Sequence, residues 1–166
     1  LNVTAQGAFS FTGGTINIVN ANTTTGTALD LGIAEASGGG TKTITNGVFH
    51  IGDGTSNTFR ISSAIDIPNI TVANNTELEC NRITNSTATS YTFYLSDGSG
   101  NIILATITLN SGTLNSNPNI EVTTTDGKHT ANNSSTNYLS RYWSVTLNDI
   151  SDPDYDITVE YPSVDI

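Results

Sequence analysis

Tyr91-Thr92-Phe93-Tyr94-Leu95, then Asp97-Gly98-Ser99-Gly100-Asn101, then Ile102 through Leu109: this stretch decides the fold. Apolar residues stand at every second position, the period of a half-buried strand. Tyr91, Phe93 and Leu95 share one face, and Ile103, Ala105, Ile107 and Leu109 share a face of the next strand. Asp-Gly between two alternating runs is a hairpin signal.

The pattern continues downstream. Ile120 and Val122 form a short apolar pair, and Ile157, Val159 and Tyr161 close the set. Between them, Trp143, Val145 and Leu147 make the strongest stripe, with Tyr142 on the opposite face, and Trp143 is expected to be buried. Five or more antiparallel strands of this kind predict a sandwich-like region over 87–166.

Upstream, over 1–86, the strands are shorter. Phe9-Ser10-Phe11, Thr15 to Ile18, Val48 to Ile51, Phe59 to Ile61, Ile65 to Ile67, Ile70 to Val72 and Leu78 to Cys80 are separated by Gly and Asn breaks. Short strands between such breaks suit the rungs of an irregular β-solenoid. Gly7 to Phe11 echoes Gly47 to Ile51, and Gly14-Thr15-Ile16 echoes Gly40-Thr41-Lys42, at different offsets, so no strict repeat is present. Thr27 to Ala36 reads as one helical turn or another strand. The predicted fold class is all-β, with almost no helix and one core shared by both halves.

Composition agrees. Of 166 residues, 28 are Thr, 20 Asn and 17 Ser, and only 36% are hydrophobic. Thr favours the pleated surface of strands, while Asn and Ser favour turns. The core is therefore thin and the turns numerous. Net charge is −10, and the cations Lys42, Arg60, Arg82, Lys128 and Arg141 are scattered. No basic patch exists for phosphates, which argues against a nucleic-acid partner. Anionic membrane surfaces repel such a chain, and no apolar run is long enough for a spanning helix. The lone Cys80 reads as a small buried apolar residue. No basic leader opens the chain, and Leu1 in place of Met points to a piece processed from something longer.

Thr124-Thr125-Asp126-Gly127-Lys128-His129, with Asn132 through Val145 including Arg141-Tyr142-Trp143, resembles a module of very large secreted surface proteins of Bacteroidetes. Those include gliding-adhesin-like chains exported by the type IX secretion system. Gly13-Gly14-Thr15-Ile16-Asn17-Ile18 and Ile51-Gly52-Asp53-Gly54-Thr55 resemble the β-helical repeats that precede it there. The resemblance implies an extracellular structural or adhesive role and carries over no catalytic residue.

Several candidate sites follow. Asp149, Asp152, Asp154 and Asp156 are four carboxylates able to supply oxygen ligands to Ca²⁺, although they lack EF-hand spacing. The alternative is a solvated turn bent at Pro153. No other cofactor is expected. Tyr94, Tyr138, Tyr142 and Tyr155 are candidates for stacking on sugar rings. His50 and His129 lack neighbours at zinc-ligand spacing, and Ser and Asp are too abundant here to mark a triad. The Thr41-Lys42-Thr43-Ile44-Thr45 alternation resembles an ice-binding array but does not recur. Val3, Phe9 and Phe11 lie in an opening run that carries no charge or Pro to blunt a sheet edge, and are candidates for self-association. The expectation is a non-enzymatic structural or adhesive module of a secreted bacterial surface protein. It is expected to join neighbouring copies or modules, as a subunit or link of a filamentous assembly. The alternative is a carbohydrate-binding module taking surface glycans.

Overall fold

The computed structural model describes residues 2–3, 9–18, 29–33, 42–52, 57–63 and 69–165, and the statements below concern these. The expected strand Ile65 to Ile67, Thr41, and the side chains of Val3 and Phe9 lie outside them. The chain is all-β. Nine short strands come first: β1 (Asn2–Val3), β2 (Phe9–Phe11), β3 (Thr15–Ile18), β4 (Leu29–Ile33), β5 (Lys42–Ile44), β6 (Val48–Ile51), β7 (Asn57–Ser63), β8 (Ile70–Val72) and β9 (Thr76–Ile83). Three longer ones follow: β10 (Thr89–Ser96), β11 (Ile102–Asp126) and β12 (Arg141–Val159), then a single 3₁₀ turn, Ser163–Asp165. The ambiguous run at Thr27 to Ala36 therefore contributes a strand, β4.

The short strands pair in parallel. One ladder runs β1-β4-β7-β9, a second β2-β5 and a third β3-β6-β8. The chain visits the three in turn from β1 to β6, then returns only to the first and third with β7, β8 and β9. Asn2 lies beside Gly32 and Leu29 beside Phe59, so these parallel partners stand about thirty residues apart in the chain. Later partners are closer, with Asn57 beside Thr76 and Phe49 beside Ile70. Parallel neighbours need long crossovers, and the intervening ladders supply them. The sequence echoes mark the wrong partners: Phe9 lies beside Lys42, and Val48 beside Thr15.

β9 changes the architecture. Its one edge continues the parallel ladder from β7, and its other edge pairs antiparallel with β11, Cys80 opposite Val122. Its side chains alternate, with Thr76, Leu78, Cys80 and Arg82 buried. No seam separates the two regions at residue 86.

The predicted hairpin is present: Tyr91 faces Ile107, Phe93 faces Ala105 and Leu95 faces Ile103, all buried. The separate strands expected at Ile103 and Ile120 are, however, one strand, and so are those at Trp143 and Ile157. β11 and β12 form a long antiparallel ribbon from Asp126–Arg141 to Ala105–Val159. Register shifts between Leu109 and Asn119 mark bulges, and across the ribbon Asp149 and Asp152 adopt left-handed backbone, φ 52° and 48°. Bulges bend a strand and let odd-numbered Leu109 and even-numbered Ile120 both face inward. β10 packs against β9 without a ladder. The Cys80 thiol donates to the Tyr94 carbonyl at 2.8 Å, Arg82 Nη1 donates to the Thr92 carbonyl, and the Arg82 guanidinium lies 5.2 Å from the Tyr91 ring centre. Burial, partly offset by the Tyr94 bond and reinforced by Glu79, pushes the Cys80 thiol up to about 12, so it is an inert core residue.

One apolar cluster joins Phe49, Ile51, Phe59 and Ile61 of the parallel ladders to Phe93, Ile107 and Val122 of the ribbon. Phe11 belongs to its margin, edge-on to Phe49 at 5.1 Å. Trp143 differs from expectation. It is only half-buried, because β12 pairs with β11 alone and the ribbon ends there.

Gly112 lies in the bend at φ 146°, where an added Cβ would meet Ile150 Cγ2 at 3.1 Å and the Pro153 Cα at 3.4 Å. Gly112→Val is expected to destabilise the fold by about 1–3 kcal/mol through backbone strain. A lowered urea midpoint measures this, and an unchanged midpoint contradicts it.

Candidate ligand cleft

The bend brings the two halves of β12 around one concavity. Trp143 and Val145 come from its first half, and Ile157 and Val159 from its second. Tyr161 stands beyond the strand, its ring edge-on to Trp143 with centres 4.6 Å apart. The third wall is the 127–140 segment joining β11 to β12, which contributes His129, Asn132, Asn137, Tyr138 and Leu139. The cleft encloses about 690 Å³.

Its loop wall is held by its own polar groups. Lys128 Nζ donates to the Ser134 carbonyl at 2.9 Å, and lies 5.2 Å from the Tyr138 ring centre. The Ser134 amide donates to Asn132 Oδ1, and the Asn137 amide to Ser134 Oγ. His129 stands edge-on to Tyr142 at 4.8 Å. Asn and Ser side chains folding back on nearby backbone are the local chemistry that lets so polar a segment keep a shape.

A buried clasp fixes the cleft's base. Arg141, the first residue of β12, donates from Nε to Asp165 Oδ2 at 2.7 Å and from Nη2 to the Asp97 carbonyl at 2.9 Å. Arg141 and Asp165 are 4% and 5% exposed, so the pair is desolvated and neither charge has an alternative in water. The bond ties the 3₁₀ turn, and hence Tyr161, to the start of β12. Asp97 anchors the β10–β11 hairpin turn. Its Oδ1 accepts from the Ser99 and Asn101 amides, and its Oδ2 from Asn101 Nδ2. Burial pushes its carboxyl up, but the bonds from Asn101 and Ser99 and the Arg141 charge outweigh it and hold the pKa below its ordinary 3.8.

The proposed sugar-stacking residues divide. Tyr138 and Tyr142 line the cleft, while Tyr94 stands opposite Leu104 and Tyr155 opposite Leu109, away from it. Alternation alone gives Trp143 and Tyr161 packing roles, and the one-sided pairing of β12 among the described residues opens their surroundings. The four calcium candidates, Asp149, Asp152, Asp154 and Asp156, lie exposed along the bend of β12. Asp156 accepts from Asn110. Among the described residues no three His, Cys, Asp or Glu side chains converge to hold an ion, because a strand spreads successive residues along its length. His50 Nδ1 lies 2.9 Å from Thr71 Oγ1, on a different part of the chain from His129. Of the self-association candidates, Phe11 has its ring committed to the chain's own core, close enough to Gly47 that an added Cβ there would overlap it.

Comparison with family models, with curated proteins and with solved structures finds no match for this chain.

Because the Asp97 pKa is depressed in the fold, its stabilising contribution is complete above the ordinary carboxylate range and is lost as pH falls through the lower folded-state value. Wild-type urea midpoints should fall between about pH 6 and about pH 2. Asp97→Asn should be weaker at the upper pH and lose less on acidification. Parallel profiles for the two proteins contradict this.

Proposed function

We propose that this chain is a non-enzymatic structural or adhesive module of a secreted bacterial surface protein, and that it joins neighbouring modules or copies end to end. In this reading residues 1–86 are laps of an irregular β-solenoid, and 87–166 a two-layer, sandwich-like region closing one end. The observation that carries the reading is the state of the first lap. β1 pairs only with β4, β2 only with β5 and β3 only with β6, so among the described residues all three parallel ladders stop together.

Among the described residues each such strand has a partner along one edge only, and an edge of that kind can pair with another chain. Parallel ladders extend in register by addition of one more lap, and an end-to-end contact of this kind propagates without closing. The opposite end differs, because antiparallel β11 covers β9 there. Polarity of this sort suits a link in a series. Five cations against 15 acids, scattered, and a surface of Thr, Asn and Ser suit an extracellular setting rather than a nucleic-acid or membrane partner. The resemblance to gliding-adhesin-like chains supports the same reading.

Sedimentation velocity over a concentration series tests the linkage. The chain should associate, and Ser10→Lys with Asn17→Lys, placing charge on exposed positions of β2 and β3, should shift it toward monomer. A chain that stays monomeric throughout contradicts the reading. Protease treatment of intact cells tests the location: the parent protein should be trimmed from the surface, and full protection rules the location out.

A further inference from the structure

We propose that the cleft on β12 binds a neutral glycan. The inference is independent of end-to-end linkage, since it concerns the opposite region of the molecule. Three features of the cleft point to that ligand class.

The first is its aromatic content. It gathers the chain's single Trp and three of its six Tyr, residues 138, 142 and 161. Tyr138 is 45% exposed and Tyr161 41%, unusual for rings inside a concave site. Large amphipathic rings of this kind cover the C–H faces of a sugar while their hydroxyls bond its edges.

The second is the distribution of polarity and charge. No carboxylate lines the cleft, and its one guanidinium, Arg141, is already bonded to Asp165 and Asp97. The remaining polar groups are amides of Asn132 and Asn137, phenols, and the imidazole of His129. These are neutral donors and acceptors. A net charge of −10 repels polyanions, leaving an uncharged ligand as the better match. In addition, the Trp143 indole Nε1 is buried without a hydrogen-bond partner. An unsatisfied donor of that sort costs stability unless an acceptor reaches it.

The third is preorganisation. The wall from His129 to Tyr138 is held by internal bonds before any ligand arrives, and a volume of about 690 Å³ falls within the range of small-ligand pockets. A second occupant, an apolar strand laid on the free edge of β12, fits less well. It would seal the Asn amides and the phenols from water without giving them partners. A saccharide supplies hydroxyls to both.

The single tryptophan makes the test direct, because Trp143 emission reports the cleft alone. The intact chain is titrated with cellohexaose, mannohexaose, xylohexaose and chitohexaose, with polygalacturonate as the charged counterpart. A synthetic peptide spanning residues 2–11 stands in for an apolar strand. At least one neutral oligosaccharide should shift the emission saturably. Tyr161→Ala and Tyr138→Ala should each weaken that response about tenfold or more, and Tyr155→Ala, outside the cleft, should not. Tyr161→Phe, which keeps the ring, should retain most of it and guards against a misfolded alanine variant. The proposal is overturned if no neutral oligosaccharide acts at about millimolar concentration. It is equally overturned if both alanine variants respond like wild type, or if only polygalacturonate or only the peptide shifts the emission. None of these results bears on the sedimentation behaviour.

Discussion

Everything in this molecule hangs on β9 being hydrogen-bonded along both edges to partners of opposite sense. On one edge it receives the last parallel neighbour, β7. On the other it starts the antiparallel ribbon through β11. A strand used this way must keep the same side chains inward for both partners. The alternation of buried Thr76, Leu78, Cys80 and Arg82 does so. Slipping β9 by one residue against either neighbour would turn Leu78 and Cys80 to solvent, so the two halves of the core share one register.

The cleft follows from the same constraint. β11 is too long to stay flat beside one partner: it pairs with β10 over residues 102–109, bends through the bulged stretch, and pairs with β9 from Asn119 onward. β12 follows it around the bend, carrying Trp143 and Ile157 to facing walls. Because β12 has no further neighbour among the described residues, the apolar side chains at that edge stay partly open. The Arg141–Asp165 pair then secures the end of the chain across the base. Site and scaffold thus share one ribbon, and the 127–140 segment that joins its two strands supplies the remaining wall.

The hairpin of Tyr91 through Leu109 was legible because its two strands alternate cleanly and its turn residues have specific backbone demands. The short strands around Phe9, Ile16, Phe49 and Ile70 were legible as strands for the same reason. Their partners were not. A parallel ladder depends on how many residues each crossover consumes, and crossovers that shorten toward β9 leave no constant period to find. The merger of Ile103 with Ile120 into one strand was also hidden. Asn115, Asn117 and Pro118 carry turn chemistry, yet here they sit in a bulge within one strand, between Leu114 opposite Ile150 and Asn119 opposite Asn148. The cleft was half legible. Tyr138 and Tyr142 stand out as aromatics in a polar segment. Trp143 looks like a core residue by periodicity, and only the absence of a further strand beside β12 makes it otherwise. The acidic run from Asp149 to Asp156 reads as a ligand set by its closeness in sequence, whereas in the fold its members are spaced along one strand.

The order in which β12 is attached has a mechanical side. Tension entering through Asp165 first meets its bonds to Arg141 and Ser140. Once those yield and Glu160 releases Leu104, the load falls on Val159 opposite Ala105, the terminal pair of an antiparallel ladder. Such a ladder opens one pair at a time rather than shearing as a whole. Peeling from that end removes Val159 and Ile157, one wall of the cleft, while Trp143 remains bonded to the scaffold. A pull on this side of the molecule therefore acts as a release: it dismantles the groove before it threatens the parallel ladders behind it.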